Sequence, residues 1–138
     1  MRDELGNSVT AAGAQALAAY ERAVDAHLHA WPGVAPALDE ALAADPDFVL
    51  AHALRALWLQ TYGRSDEARA ALGRAEAGAG HTSERERSHV SLVSALVGGR
   101  SPAALAQVQL HAQRFPTDVL SASTAMGAYG LFAFSGRR

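Results

Sequence analysis

Apolar residues recur along the chain at three- and four-residue intervals, the period of a helix with one buried face. Leu17, Tyr20, Val24 and Leu28 form one such stripe, and Val34, Leu38 and Leu42 form the next, behind a break at Trp31-Pro32-Gly33. Asp45-Pro46-Asp47 interrupts the pattern, because proline lacks a backbone donor and restricts the residue before it. A third helical stretch runs from Phe48 to Tyr62, and Gly63 is placed to end it with a left-handed cap. Ser65 then reads as the N-cap of a fourth helix, whose Asp66 and Glu67 suit the positive end of the helix dipole.

Gly78-Ala79-Gly80 is the next break. Ser83 and Glu86 have capping-box spacing, which predicts a fifth helix over about Glu84 to Val97, ended by Gly98-Gly99. Ser101-Pro102 restarts the chain with a hydroxyl at the N-cap and a proline at the first helical position. That sixth helix ends before Phe115-Pro116, and a seventh begins near Asp118 and spans Val119 to Phe134. No stretch reads as a strand, so the predicted class is all-α.

The punctuation repeats. "GRSDEA" at Gly63 and "GRSPAA" at Gly99 lie 36 residues apart, as do Leu72 and Val108, while Pro46 and Pro116 lie 70 apart. A helical hairpin of about 34 residues with this punctuation is the pattern of the tetratricopeptide repeat. In the second unit Ala56, Gly63, Ala68, Leu72 and Ala75 fall at the motif positions. The first unit matches through Leu38, Ala41 and Pro46 but has Arg22 where a small residue is expected. The third keeps Gly99, Ala104, Val108 and Pro116 but has His111 in place of alanine. The expectation is one domain over 1–138, a TPR-type α-solenoid of antiparallel helix pairs with about seven helices, or three and a half repeats. Its units span 11–46, 47–80 and 82–116, followed by an unpaired helix over 118–134.

The stretches "DPDFVLAHALRALWLQTYGRSDEARAAL", "SERERSHVSLVSALVGG" and "FPTDVLSASTAMGAYGLFAFSGRR" resemble the tetratricopeptide repeat protein 38-like proteins of bacteria. Members of that family are usually much longer, so the chain would match only their N-terminal third. The resemblance implies a helical-repeat scaffold and brings no catalytic motif with it. "SGRR" places Gly136-Arg137 at the turn before a further helix, 37 residues after Gly99-Arg100, which is the pattern of a shortened array. The seventh helix is apolar on more than one face, through Leu120, Met126, Tyr129, Leu131, Phe132 and Phe134. A terminal solenoid helix normally turns a polar face outward, so these six residues are the expected interface of a homo-oligomer.

Composition narrows the partners. The formal net charge of −2 provides no field for phosphates, which argues against nucleic acid. All twelve basic residues are Arg in an Ala- and Gly-rich chain, a composition that suggests a high-GC bacterial genome. There is no Cys, which excludes disulfides, thiolate catalysis and thiolate metal sites. The N-terminus carries acids where a signal peptide carries basic residues, and no apolar run approaches the ~18–20 residues of a membrane span. The expectation is a cytoplasmic protein with no membrane partner.

The candidate chemistry is sparse. His27 and His29 project about 200° apart on a helix, and His52, His81, His89 and His111 read as scattered surface and interhelical histidines, so neither a metal nor a cofactor is expected. Serines Ser65, Ser83 and Ser101 are accounted for as caps, and no G-x-S-x-G elbow occurs, so no catalytic residue is expected. Glu84-Arg85-Glu86-Arg87 reads as a solvated charge run at a helix start, with a peptide clamp as the alternative. Asp45 and Asp47 read as local turn acceptors.

In this repeat the first helix of each pair faces a concave groove. That register puts Leu50, Ala53, Leu57, Gln60 and Thr61 of the second unit there, with Glu86, His89, Val93, Leu96 and Val97 of the third. The expected function is non-enzymatic: a scaffold that holds a protein or peptide segment in this groove, or against its C-terminal helix. The alternative is the N-terminal part of a longer helical-repeat enzyme or small-ligand-binding accessory protein.

Overall fold

A computed structural model of the chain describes residues 1–124, and in these the regular structure is helical. The helices are α1 (Ala14–Leu28), α2 (Val34–Ala44), α3 (Val49–Thr61), α4 (Ser65–Gly78), α5 (Glu84–Val97), α6 (Ser101–Arg114) and α7 (Val119–Ser123). A 3-10 turn at Ala79–His81 tightens the exit from α4, so the Gly78-Ala79-Gly80 break is only partial. A single isolated bridge, Arg2 to Ser8, is the nearest approach to a strand among the described residues. The rest of the predicted seventh helix lies outside the described residues.

Helices adjacent in sequence pack together as α1–α2, α3–α4 and α5–α6, with α3 also touching α5. Small side chains set the contacts: Ala16, Ala19, Ala23 and Ala26 are the buried stripe of α1, and Ala68, Ala71 and Ala75 that of α4. α3 is central, buried on nearly every face from Val49 to Leu59. One apolar cluster joins α1, α2 and the start of α3, and it includes Val9 from the N-terminal segment and Leu120 from α7. A second joins the rest of α3 to α4 and α5. Between α5 and α6 the apolar cluster shrinks to Leu92, Ala95, Ala104 and Val108.

The three joints inside the helix pairs share one geometry. Gly63 donates to Gln60 O at 3.0 Å and Arg64 to Leu59 O at 3.0 Å; Gly99 donates to Leu96 O at 3.2 Å and Arg100 to Ala95 O at 3.0 Å. These are Schellman stops, with left-handed glycines at φ 73° and 71°. Ala30 and Trp31 repeat them, donating to His27 O and Ala26 O, with Ala30 at φ 54°. The predicted caps at Ser65 and Ser101 sit one residue too late. The N-caps are Arg64 and Arg100, whose carbonyls accept from Ala68 and Ala104 at 2.9 and 2.8 Å. One Arg residue therefore closes one helix and opens the next. Arg has no side-chain acceptor for a cap, and Arg64 instead pairs with Glu67 in the first turn (2.8 and 2.6 Å). Ser83 is a true cap, with both halves of its capping box formed.

The joint at Ala30 is the strained member, because a Cβ disfavours the left-handed region by about 1–2 kcal/mol. Ala30→Gly is expected to stabilise the fold by about 0.5–1 kcal/mol, and Gly63→Ala or Gly99→Ala to destabilise it by a similar amount. Urea denaturation of the three variants checks this. An unchanged midpoint for Ala30→Gly would show that the position carries no strain.

Candidate functional site

The site begins with the segment that precedes α1. Asp3 accepts from the backbone of Leu5 and Asn7 (3.0 and 2.9 Å) and fixes a tight loop, with Gly6 at φ 83°. From Asn7 onward the chain runs non-helical to Gly13 and is held by residues distant in sequence. Asn7 Nδ2 donates to Thr117 O at 3.0 Å, and Thr117 Oγ1 donates back to Asn7 Oδ1 at 2.7 Å. Arg85 Nη2 donates to Ser8 O at 2.5 Å. Glu86 accepts from Thr10 N–H at 3.0 Å and from Thr10 Oγ1 at 2.8 Å, and Asp45 Oδ2 accepts from Ala12 N–H at 2.8 Å. Between these contacts Val9 is 2% exposed. Segment 7–12 is thus clamped across α5, the α2–α3 turn and the α6–α7 turn.

The clamp residues sit where they do because α5 turns the wrong part of its charge run inward. Helical period places Arg85 and Glu86 on the same side as His89, Val90 and Val93, all buried, while Glu84 and Arg87 stay exposed. The expectation of a wholly solvated charge run is corrected for its two central members. Glu86 is fully buried yet satisfied: besides Thr10 it accepts from Ser83 N–H (3.2 Å) and Ser83 Oγ (3.0 Å).

Behind the clamp lies a buried ionic cluster. Asp118, the N-cap of α7, accepts from Arg85 Nη1 and His111 Nε2 on one oxygen, each at 2.8 Å, and from Ser121 N–H on the other at 3.2 Å. His89 Nδ1 stands 3.8 Å from that shared oxygen and is engaged by Ser121 Oγ at 2.6 Å. Burial alone would raise the pKa of Asp118, but the His111 hydrogen bond, with His89 and the Arg85 charge, outweighs it and holds the carboxyl far below the usual range. Because His89 lies beyond hydrogen-bond reach of the carboxylate, His111 and Arg85 carry that effect.

A shift of 36 residues shows what changed to make this cluster. Arg85, Glu86, His89, His111 and Asp118 occupy the positions of Val49, Leu50, Ala53, Ala75 and Thr82 in the preceding unit. Every one of those counterparts is buried, and all but Thr82 are apolar. The helix frame is reused with an ionic filling.

Two kinds of chemistry could be drawn from this geometry, and the cluster suits neither. His89, His111 and Asp118 present three ligand atoms within 4.8 Å of one another, enough to hold a metal ion. Arg85 already delivers a positive charge to the same carboxylate oxygen, so the cluster is built around a guanidinium and fits a metal poorly. Ser88 Oγ lies 2.7 Å from His111 Nδ1, which completes a Ser88–His111–Asp118 hydrogen-bond chain. Ser88 sits inside α5, where neighbouring backbone N–H groups are spent on the helix and cannot form an oxyanion hole.

The residues expected along a groove are placed as follows. Leu50, Ala53, Leu57, Val93 and Val97 are buried in the two large apolar clusters. Glu86 and His89 are buried in the clamp and the ionic cluster, and Gln60, Thr61 and Leu96 are half-buried. None of the ten is exposed. Of the six residues expected at an oligomer interface, Leu120 is buried in the first apolar cluster, and Met126, Tyr129, Leu131, Phe132 and Phe134 lie outside the described residues. Sequence reading missed Arg85, Asp118, Ser121 and Thr10, and it treated His89 and His111 as unrelated. Two signals were present: Glu86-Arg87-Ser88-His89 is a Glu and a His on one helix face, and His111 replaces a motif alanine. Comparison with known protein families, curated proteins and solved structures returned no match.

Asp118→Asn strands a buried guanidinium and is expected to destabilise the fold by about 3–5 kcal/mol at neutral pH. The carboxyl of Asp118 is depressed in the folded state. Its contribution is therefore fully present above the unfolded value of about 3.9 and is lost as pH falls below it. Wild-type stability should drop steeply in acid and converge on that of the variant, whose own profile lacks this slope. Urea denaturation at a series of pH values decides the matter, and parallel profiles would refute it.

Proposed function

We propose that the chain is a peptide-binding helical-repeat module, its helix pairs stacked antiparallel as a TPR-type α-solenoid. Its clamp for extended segments is filled here by its own residues 7–12. The repeat assignment is supported by the three Schellman joints at Ala30, Gly63 and Gly99 and by the sequential pairing of helices. The resemblance to the tetratricopeptide repeat protein 38-like proteins agrees with that reading. In it the module is a non-enzymatic scaffold, and the Ser88–His111–Asp118 chain serves to position Asp118.

One observation carries the proposal: the clamp reads alternate main-chain groups of an extended segment. Arg85 takes the carbonyl of Ser8, Glu86 the N–H of Thr10 and Asp45 the N–H of Ala12. Asn7 and Val9 are buried and Ser8 and Ala12 are exposed, as on a strand, while Thr10, exposed overall, turns its hydroxyl in to Glu86. Main-chain hydrogen bonds supply affinity in such recognition, and the alternate pockets supply selectivity. The preferred occupant is accordingly an extended segment with Asn, then an aliphatic residue two positions on, followed directly by a hydroxyl residue. Among the described residues no helix is long and apolar enough to cross a membrane.

The full-length double variant Val9→Asp/Thr10→Pro removes the buried aliphatic group and the Thr10 donors without touching a helix. It should leave helicity intact, raise amide exchange at residues 8–12, and bind a labelled peptide of residues 1–13 at least about tenfold more tightly than the wild type, whose clamp is occupied. Amides that stay protected in the variant would show that the clamp does not hold the segment. Released amides without peptide binding would refute a trans-acting clamp.

A further inference from the structure

Between the N-terminal loop, α1 and the start of α7 lies a cavity of ≈ 130 Å³. Its body is apolar, lined by Leu5, Val24, Leu28, Leu50 and Leu120. Its acidic residues are Asp3, Glu4, Glu21 and Asp25, with Asp118 beside Arg85. Asp3 is spent on the backbone of Leu5 and Asn7 and on Asn7 Nδ2, and Asp118 is saturated by Arg85, His111 and Ser121. Glu4, Glu21 and Asp25 remain, and no basic side chain pairs with them among the described residues. Burial of Glu21, and then the Glu4 carboxyl beside it, raise the Glu21 pKa, the behaviour of two acids with no cation between them.

Two further groups in the lining are polar and unmet. Tyr20 is 5% exposed, its ring packs at a tilt against Phe48 with 5.0 Å between centroids, and its hydroxyl has no hydrogen-bond partner among the described residues. Burial, and then the Asp118 carboxylate, keep that hydroxyl protonated at any ordinary pH. Arg85 is 7% exposed, and its Nε–H has no partner. The Arg85 Nε–H has no accessible surface and so does not open into the cavity, which leaves the Tyr20 hydroxyl as the donor available to a ligand. A cavity lined in this way has one unmet donor, an aliphatic wall and carboxylates without a cationic partner.

We propose that this cavity binds a small aliphatic primary amine that carries a neutral acceptor, a hydroxyl or carbonyl, at its other end. The ammonium sits among Glu4, Glu21 and Asp25, the methylene chain lies along Val24, Leu28 and Leu50, and the acceptor meets Tyr20. A cavity of about 150 Å³ holds benzene, so a ligand of about six heavy atoms is the right size. A carboxylate in place of the neutral acceptor is disfavoured, because the Asp118 carboxylate acts on the Tyr20 hydroxyl more strongly than the Arg85 guanidinium does. The proposal does not rest on the peptide reading, although the cavity and the clamp share Asn7 and Arg85.

The test is titration of the intact chain with 4-aminobutan-1-ol, followed by calorimetry and amide chemical shifts. A Kd of roughly 0.1–1 mM is expected for so few atoms, with shifts at Tyr20, Glu21 and Leu50. Glu21→Gln/Asp25→Asn should weaken binding about tenfold or more, the size of a charge-assisted contact. Tyr20→Phe, which keeps the ring packing, should weaken 4-aminobutan-1-ol several-fold but leave butylamine, which lacks the hydroxyl, unaffected. Equal binding of 1-pentanol would overturn the role of the acids, and equal loss of both amines in Tyr20→Phe would overturn that of the hydroxyl. Absence of shifts with the amine, or saturable binding of calcium alone, would overturn the proposal as a whole.

Discussion

A guanidinium and a carboxylate withdrawn from water must satisfy each other or not be withdrawn at all. The Arg85–Asp118 pair meets that condition at 2.8 Å, with His111 on the same oxygen and the Ser8 carbonyl on the other arm of the guanidinium. The consequence is geometric. Arg85 belongs to α5, His111 to α6, Asp118 caps α7 and Ser8 lies in the N-terminal segment, so four pieces of chain are fixed relative to one another at a single point. Removing any one piece leaves another's charge or donor buried without a partner, which makes the third helix pair, the start of α7 and the N-terminal segment interdependent.

The preceding helix pair shows what the same positions hold without such a cluster. In the second unit the equivalent space is filled by Val49, Leu50, Ala53 and Ala75, and the helices close on apolar contacts alone. In the third unit the apolar cluster between α5 and α6 is reduced to a few small side chains, so burial there supplies less stabilisation. The ionic filling gives up packing in exchange for directed groups: Glu86, Arg85 and Asp118 have oxygens and N–H bonds that reach beyond the helix pair to a neighbouring main chain. Apolar side chains at the same positions would hold the helices together but could not hold segment 7–12 in one register.

How much of this was legible in the sequence depended on the range of the interaction. Gly63, Gly99 and the Ser83/Glu86 capping box act within one turn of the chain, and their residue types announce them. The joint at Ala30 has the same backbone geometry but was read as a break at Trp31-Pro32-Gly33, because alanine gives no sign that it will adopt a left-handed conformation. The caps assigned to Ser65 and Ser101 were one residue out because the Schellman stop already commits the preceding Arg. The clamp was illegible for a different reason. Thr10 meets Glu86 and Asn7 meets Thr117 across 76 and 110 residues, and no periodicity in either segment records that pairing. The charge run at 84–87 shows the limit of composition: its alternation suggested solvent, whereas the helical period had already placed its middle members beside Val90 and Val93.

The clamp and the cavity share a wall, since Asp3, Glu4, Leu5 and Asn7 belong to the segment that the clamp holds. Binding events that share a wall are thermodynamically linked, and the linkage is reciprocal. A small ligand in the cavity stabilises the seated segment and so raises the cost of displacing it. A foreign peptide that takes over the positions of Asn7, Val9 and Thr10 removes Glu4 from the rim, and the cavity loses an acid and part of its apolar lining. If both proposals hold, a small ligand and a foreign peptide would therefore oppose each other. Both would act through residues 7–12, whose Asn7 lines the cavity and whose Ser8 carbonyl is held by Arg85.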